Sequence, residues 1–131
     1  MTVAVGYVTT PEGRAALAHG FIEAELRKTD LLVITAASLV PGDELDADLE
    51  RARALVGATS CEVLVRGIEQ GQSAAAELVD VSYEDDVELV VLGLRRRSPV
   101  GKLVMGSTAQ HVLLEAHCPV TAVKVPVRPV S

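Results

Sequence analysis

The residues of this chain best suited to binding an anion lie between Gly93 and Thr108. After Gly93 the sequence reads LRRRSPVGKLVMGST, with three consecutive arginines, a Gly-Lys pair and a Gly-Ser-Thr triplet. Arginine guanidinium groups suit bidentate contacts with phosphate oxygens, and the backbone N–H groups of a glycine-containing loop bind the same oxygens. These residue types predict a phosphate site, which we interpret as a nucleotide site. Its candidate residues are Arg95, Arg96, Arg97, Gly101, Lys102, Gly106, Ser107 and Thr108.

The elements on either side place this loop where an anion site is expected. Leu89–Leu92 is a short, continuous apolar run, which predicts a strand buried on both faces. After Gly106 apolar residues recur every three or four positions, which predicts a helix. Backbone N–H groups and the helix dipole hold phosphates at such a junction. Two plainer interpretations stay open: the arginines form a solvated loop, and Ser107 and Thr108 only cap the helix.

The rest of the chain alternates predicted strands and helices. Strand-helix occurs four times and a fifth strand closes the series, which predicts a three-layer α/β sandwich with helices on both faces of a parallel sheet. The expected strand order is 3-2-1-4-5, so ligands should bind between the first and fourth strands at their carboxyl ends. Residues 1–131 form one predicted domain, with an irregular or arm-like tail over 125–131. The other predicted strands are Thr2–Val8, Leu31–Ala36, Cys61–Arg66 and Val120–Val125.

Composition narrows the classes of partner. The 131 residues are 49% hydrophobic and 23% charged, which favours one folded domain. A net charge of −6 argues against nucleic acid as the main partner. No apolar stretch approaches the roughly 20 residues that span a bilayer, and Cys61 and Cys118 lack disulfide or metal-site spacing. We therefore expect a soluble, cytoplasmic protein with reduced thiols.

Two familiar nucleotide-binding motifs do not fit. Gly101-Lys102 resembles the end of a P-loop, but that motif requires Gly at position 96 and Ser or Thr at position 103, where Arg96 and Leu103 stand. No GxGxxG follows the first predicted strand, which argues against a dinucleotide site.

The spacing of the loop matches a different pattern. Gly93 is followed by two residues, then Arg96, then nine residues, then Gly106-Ser107, and the flanking sequences are VVLG and VLLEAHCPVTAVK. In this combination the chain resembles the universal stress protein family over nearly its whole length. The family fingerprint is Gly, two residues, Gly, nine residues, then Gly-Ser or Gly-Thr. The resemblance implies an adenine nucleotide alpha hydrolase-like fold.

The resemblance also implies a ligand, ATP or another adenine nucleotide, with Mg²⁺ as a possible companion. Carried over by position, Gly93, Gly106, Ser107 and Thr108 would contact phosphates, while Gly6 and Ala36 would contact the nucleoside. The chain departs from the pattern at two places. Arg96 replaces the second glycine of the fingerprint. Gly101 is a candidate to allow the close approach that this glycine would otherwise allow. Gly6-Tyr7 stands where the family has Asp, and Tyr7 is a candidate to stack on the base.

Three functional hypotheses follow. By resemblance, the chain is a cytosolic regulator in the stress response that binds ATP and forms a homodimer through the strand Val120–Val125. The alternative is a protein interaction module whose loop is structural or holds only inorganic anions. The third is slow nucleotide hydrolysis, for which no base or metal carboxylate is visible. His19, His111 and His117 are not grouped at metal-ligand spacing, and we expect no enzymatic activity.

Overall fold

The computed structural model describes residues 1–36, 43–57, 60–68, 71–94 and 106–125. Within these ranges strands and helices alternate along the chain. The strands are β1 (Thr2–Tyr7), β2 (Asp30–Ala36), β3 (Val63–Ile68), β4 (Val87–Leu94) and β5 (Val120–Lys124). The helices are α1 (Pro11–Arg27), α2 (Asp43–Val56), α3 (Ala74–Ser82) and α4 (Ser107–Glu115). No helix in these ranges is long and apolar enough to cross a membrane.

The strands form one parallel sheet in the order β3-β2-β1-β4-β5, which confirms the predicted topology. β1 lies at the centre, where Val5 pairs with Val33 on one side and with Val91 on the other. The strand order therefore reverses between β1 and β4, at the position where open parallel sheets bind ligands.

Two apolar cores fill the spaces between the sheet and its helices. Alternate residues of β1 point to opposite faces, as the twofold repeat of a strand requires. Val5 and Tyr7 join the cluster beneath α1 and α2. Ala4 joins the cluster beneath α3 and α4, which includes Leu78 and Val112. These two clusters confirm helices on both faces of the sheet.

The sequence predicts a helix after β1 that is capped by Thr10, starts at Pro11 and ends near Lys28, and the structure confirms it. Thr10 is its N-cap, accepting a hydrogen bond from the N–H of Gly13 at 3.2 Å, and Pro11 occupies the first helical position. Lys28 ends the helix in a left-handed conformation with φ of 54°.

Some predicted boundaries and faces are wrong. β3 begins at Val63 rather than Cys61, because its pairing with β2 starts where Val63 meets Leu31. β5 ends at Lys124 rather than Val125, and the tail over 126–131 lies outside the described residues. The sequence predicts that the row of Ala18, Ile22 and Leu26 shares the apolar face of α1 with Leu17 and Phe21. In that row, however, Ile22 is 38% exposed and Leu26 is 74% exposed.

Small residues decide which face of α1 is buried. Gly13, Ala16, Gly20 and Ala24 face the sheet together with Leu17 and Phe21. A Cβ added at Gly20 would lie 2.3 Å from Cγ2 of Val5, so the helix approaches β1 more closely than larger residues allow. The side of α1 that carries Ile22 and Leu26 therefore faces solvent.

Candidate functional site

A cavity of about 360 Å³ lies at the carboxyl edge of the sheet, between the ends of β1 and β4. It occupies the switch point that the topology predicts. The predicted site residues that line it are Gly6, Tyr7, Gly93, Gly106, Ser107 and Thr108.

Three helices begin at this cavity. Gly13 lies in the first turn of α1, Ala74 is the first residue of α3, and Ser107 is the first residue of α4; all three line the cavity. The N-terminal end of a helix carries partial positive charge from its unpaired N–H groups. The cavity is therefore polarised to favour an anion.

The start of α4 differs from the other two. Thr10 caps α1 and Ser73 caps α3, each accepting a bond from a backbone N–H of the first turn. The N-cap of α4 is Gly106, which has no side chain to accept such a bond. Ser107 and Thr108 are helical residues rather than N-caps, so the interpretation that they only cap the helix is wrong. Both residues are exposed, and they line the cavity together with Gly106 and Ala109.

Apolar side chains form another part of the wall. Ile34 of β2, Ile68 of β3, Leu92 of β4 and Leu78 of α3 all line the cavity. Gly6 lies against Leu78, whose Cδ1 would be 2.9 Å from a Cβ added at that glycine. A glycine inside a predicted strand indicates either a bulge or a close approach to the backbone. The close approach is the one found at Gly6, whereas the register shift of β1 lies between Thr2 and Val3. The wall is suited to a flat apolar group such as a nucleobase.

Tyr7 has a different role from the predicted one. Its side chain is 2% exposed and belongs to the core beneath α1 and α2, on the face of the sheet opposite Leu78. The hydroxyl donates a hydrogen bond to Oδ2 of Asp48 at 2.5 Å. Burial first, and then the bond to Asp48, raise the pKa of Tyr7 to about 12. Because the ring is packed in this core, the prediction that it stacks on a base is wrong.

The remaining predicted site residues are Ala36 and five residues of the segment after β4. Ala36 ends β2, where it pairs with Ile68, and Ile34 of the same strand lines the cavity. Residues 95–105 lie outside the described ranges, so the predicted contacts of Arg95, Arg96, Arg97, Gly101 and Lys102 remain predictions from the sequence.

Sequence reasoning missed most of the apolar wall. Ile34 lies two positions before Ala36, and Leu92 directly precedes Gly93. Both are inward-facing residues near the carboxyl ends of their strands, so the alternation of strand side chains was a usable signal. Leu78 and Ile68 had no comparable signal, because a sequence does not show which helix or neighbouring strand closes a cavity.

Comparison with known families decides the identity of the fold. The sequence model of the universal stress protein family matches residues 1–124. The chain belongs to that family. A universal stress protein of Mycolicibacterium smegmatis is 42% identical to it over 129 residues, covering 93% of this chain and 96% of the relative.

Solved universal stress proteins share the fold. The structure of one from Archaeoglobus fulgidus has a TM-score of 0.72 at 28% identity, covering 95% of this chain and 98% of the other. A universal stress protein crystallised in complex with cAMP also has a TM-score of 0.72, at 23% identity, covering 96% of this chain and 98% of the other. The sheet order described above is thus that of the family.

The other chemical groups of this family member are dispersed over the described ranges. The three histidine rings have different neighbours: His111 lies 2.8 Å from Glu115, His19 lies 3.6 Å from Glu23, and His117 stacks on Tyr83. No group of three or more His, Cys, Asp or Glu in the described residues is placed to hold a metal ion. Cys61 and Cys118 are both free.

Proposed function

We propose that the cavity binds an adenine nucleotide, with its base against the apolar wall and its phosphates at the start of α4. One observation carries the proposal: three helix N-termini converge on an apolar cavity, and the N-cap of α4 has no side chain to occupy its N–H groups. The complex of a related fold with cAMP supports the choice of an adenine nucleotide.

Different residues of the described chain would hold the two halves of this ligand, its phosphates and its base. The phosphate half would be held by the hydroxyls of Ser107 and Thr108 and by first-turn N–H groups, in the geometry by which helix N-termini bind phosphate. The base would lie against Ile34 of β2 and Leu78 of α3, which line the cavity. Burying the apolar faces of the base supplies affinity, and the helix termini orient the phosphate.

ATP is the nucleotide that we propose, with Mg²⁺ accompanying its phosphates. The sequence between β4 and α4 contains four cationic residues: Arg95, Arg96, Arg97 and Lys102. Four positive charges match a triphosphate better than a monophosphate. Arginine in particular suits phosphate through bidentate contacts.

Isothermal titration calorimetry with ATP, with and without Mg²⁺, tests this proposal. We expect saturable binding, and a Kd raised about tenfold or more by the Ser107→Ala/Thr108→Ala double variant, because charge-assisted hydrogen bonds are lost. Ser60→Ala is the matched control, since its hydroxyl bonds Glu25 on the exposed surface. Absence of heat at millimolar ATP would overturn the proposal.

A second candidate function is a protein interaction module without a nucleotide. The observation that favours it is the end of β1, where Gly6 offers no carboxylate and Leu78 packs directly against the backbone. Native mass spectrometry separates the two functions. The module predicts that no nucleotide copurifies and that binding of a protein partner survives both Arg95→Ala and Ser107→Ala.

We propose that the protein forms a homodimer. We also propose that it is a cytoplasmic regulator in the stress response, which acts by binding rather than by catalysis. β5 is the terminal strand of the sheet, and Val120 to Val123 are half-buried within one chain. An edge strand of this kind pairs readily with a second copy. This surface supports the dimer, and the family supports the regulatory role.

A further inference from the structure

Asp48 is a buried acidic residue that belongs to no part of the cavity wall. It lies on α2 and is 7% exposed, although carboxylates are seldom buried unless they are paired. Its Oδ2 accepts from the hydroxyl of Tyr7 at 2.5 Å and from Nε of Arg14 at 3.2 Å. Its Oδ1 accepts from Arg51 at 3.2 Å.

Two of these partners lie on either side of one short segment. Tyr7 is the last residue of β1, and Arg14 lies in the first turn of α1. Asp48 therefore ties α2 to both ends of residues 8–13, which we call the β1–α1 segment. Within it the N–H of Thr10 bonds the carbonyl of Val8 at 2.8 Å.

The β1–α1 segment is also part of the cavity wall. Val8, Glu12 and Gly13 line the cavity, so any displacement of the segment changes the shape of the site. On the cavity side it is confined by β4, because the carbonyl of Glu12 lies 2.1 Å from a Cβ added at Gly93. On the other side its ends are held by Asp48.

We propose that Asp48 is a positioning residue, which fixes the β1–α1 segment through Tyr7 and Arg14 and thereby sets the affinity of the cavity for its ligand. This inference rests on the proposed nucleotide site for the ligand, while the fixing of the segment stands on the contacts alone. A charged acceptor suits the task, since hydrogen bonds to an ionised group are stronger and shorter than neutral ones. The segment then needs no rearrangement when the ligand arrives, which favours tight binding.

The test compares three variants. Tyr7→Phe removes one hydroxyl and keeps the ring, and Asp48→Asn keeps the shape of the side chain and removes its charge. Ser82→Ala is the matched control: Ser82 is 1% exposed, accepts from the N–H of His117 at 2.9 Å and donates to the carbonyl of Val79. Ser82 is the last residue of α3, whose first residue lies at the cavity. Ser82→Ala therefore reports loss of stability without loss of positioning.

The first readout is hydrogen exchange of the ligand-free protein. Amides of Thr10, Gly13 and Arg14 should exchange at least about fivefold faster in Tyr7→Phe and Asp48→Asn, while Ser82→Ala leaves them at their original rates relative to the rest of α1. The second readout is the Kd for ATP by calorimetry. Both variants should raise it about fivefold to tenfold, and the double variant should raise it by less than the product of the two.

Unchanged exchange in the segment would overturn the positioning role whether or not a nucleotide binds. Accelerated exchange with an unchanged Kd would overturn the effect on affinity. If the unmodified protein binds no nucleotide, the proposed function and the effect on nucleotide affinity fail together, and the exchange measurement still decides the positioning role. Recovery of both readouts in Asp48→Glu, which restores the charge, would support the inference further.

Discussion

Gly93 of β4 lies directly against the backbone of Glu12 in α1: a Cβ at residue 93 would stand 2.1 Å from the Glu12 carbonyl oxygen and 2.6 Å from its carbon. Real Cβ atoms do not approach a backbone so closely. The glycine therefore lets the first turn of α1 pack against the end of β4, which brings the start of this helix to the cavity. Its place in the family fingerprint has a packing reason as well as the predicted phosphate contact.

Gly93→Ala should destabilise the fold by about 2 kcal/mol or more, because the helix or the strand must move to admit the methyl group. Gly106→Ala is the matched control. No atom of the described residues lies within 4 Å of a Cβ added at Gly106, and its φ of −69° suits any residue. We expect a loss below about 1 kcal/mol there, from the poorer N-cap. Urea denaturation followed by circular dichroism measures both. Equal losses in the two variants would contradict the packing role.

The sheet order could be predicted because it depends on coarse properties of the sequence. Short apolar runs alternate with amphipathic segments, and right-handed crossovers leave few arrangements for five parallel strands. The ends of strands are harder to predict from the sequence, because the pairing with neighbouring strands decides where each strand begins and ends. The predicted run Leu89–Leu92 extends to Val87–Leu94 in the structure because Val87 pairs with Thr2 and Leu94 pairs with Lys124.

The alternation of strand side chains argues against the prediction that Tyr7 stacks on a base. Val3, Val5 and Tyr7 share one face, so the side chain of Tyr7 points away from the face on which Gly6 lies against the cavity. Asp48 also had a signal, since it lies three residues after Leu45 and four before Ala52, on the buried side of α2. Which residue would meet its carboxylate was beyond the sequence, because Tyr7 is 41 positions away.

The alkaline pH dependence of stability should depend on Tyr7. Its pKa is raised to about 12, so the neutral form is favoured in the folded state. The resulting stability is fully present below the unfolded pKa of about 10 and is lost as the pH rises through about 12. Urea denaturation across this window should show a falling free energy of unfolding, and Tyr7→Phe should flatten the fall.

The same group can be titrated directly. The chain has two tyrosines and no tryptophan, so Tyr83→Phe leaves Tyr7 as the source of the tyrosinate absorbance. We expect the absorbance to rise near pH 12. Asp48→Asn in this background should lower the pKa of Tyr7, because the charged hydrogen-bond acceptor is lost. A pKa that does not respond to Asp48→Asn would contradict the buried contact.

The two halves of the proposed ligand should contribute separately to affinity. AMP should bind about tenfold more tightly than adenosine, because only AMP places an anion at the start of α4. Added salt should weaken the binding of AMP and leave the binding of adenosine nearly unchanged. Calorimetry with both ligands measures the difference, which should shrink in Ser107→Ala/Thr108→Ala. Equal affinities of AMP and adenosine would show that the helix terminus does not hold the phosphate.

Pairing of the β5 edge can be tested against the opposite edge of the same sheet. Thr121 is half-buried on β5, and Leu64 is 59% exposed on β3, the strand at the other edge. In a twofold dimer through β5, Thr121→Lys brings two like charges close to the interface, which opposes association. The dissociation constant should rise at least about tenfold, the equivalent of about 1.4 kcal/mol.

Analytical ultracentrifugation over a range of protein concentrations measures this effect, with Leu64→Lys as the control. The control adds the same charge to an edge strand that is not proposed to pair, so its dissociation constant should stay at the original value. A dimer that is lost in Leu64→Lys and kept in Thr121→Lys would place the interface at β3 instead. An unmodified protein that sediments as a monomer at micromolar concentration would exclude pairing at either edge.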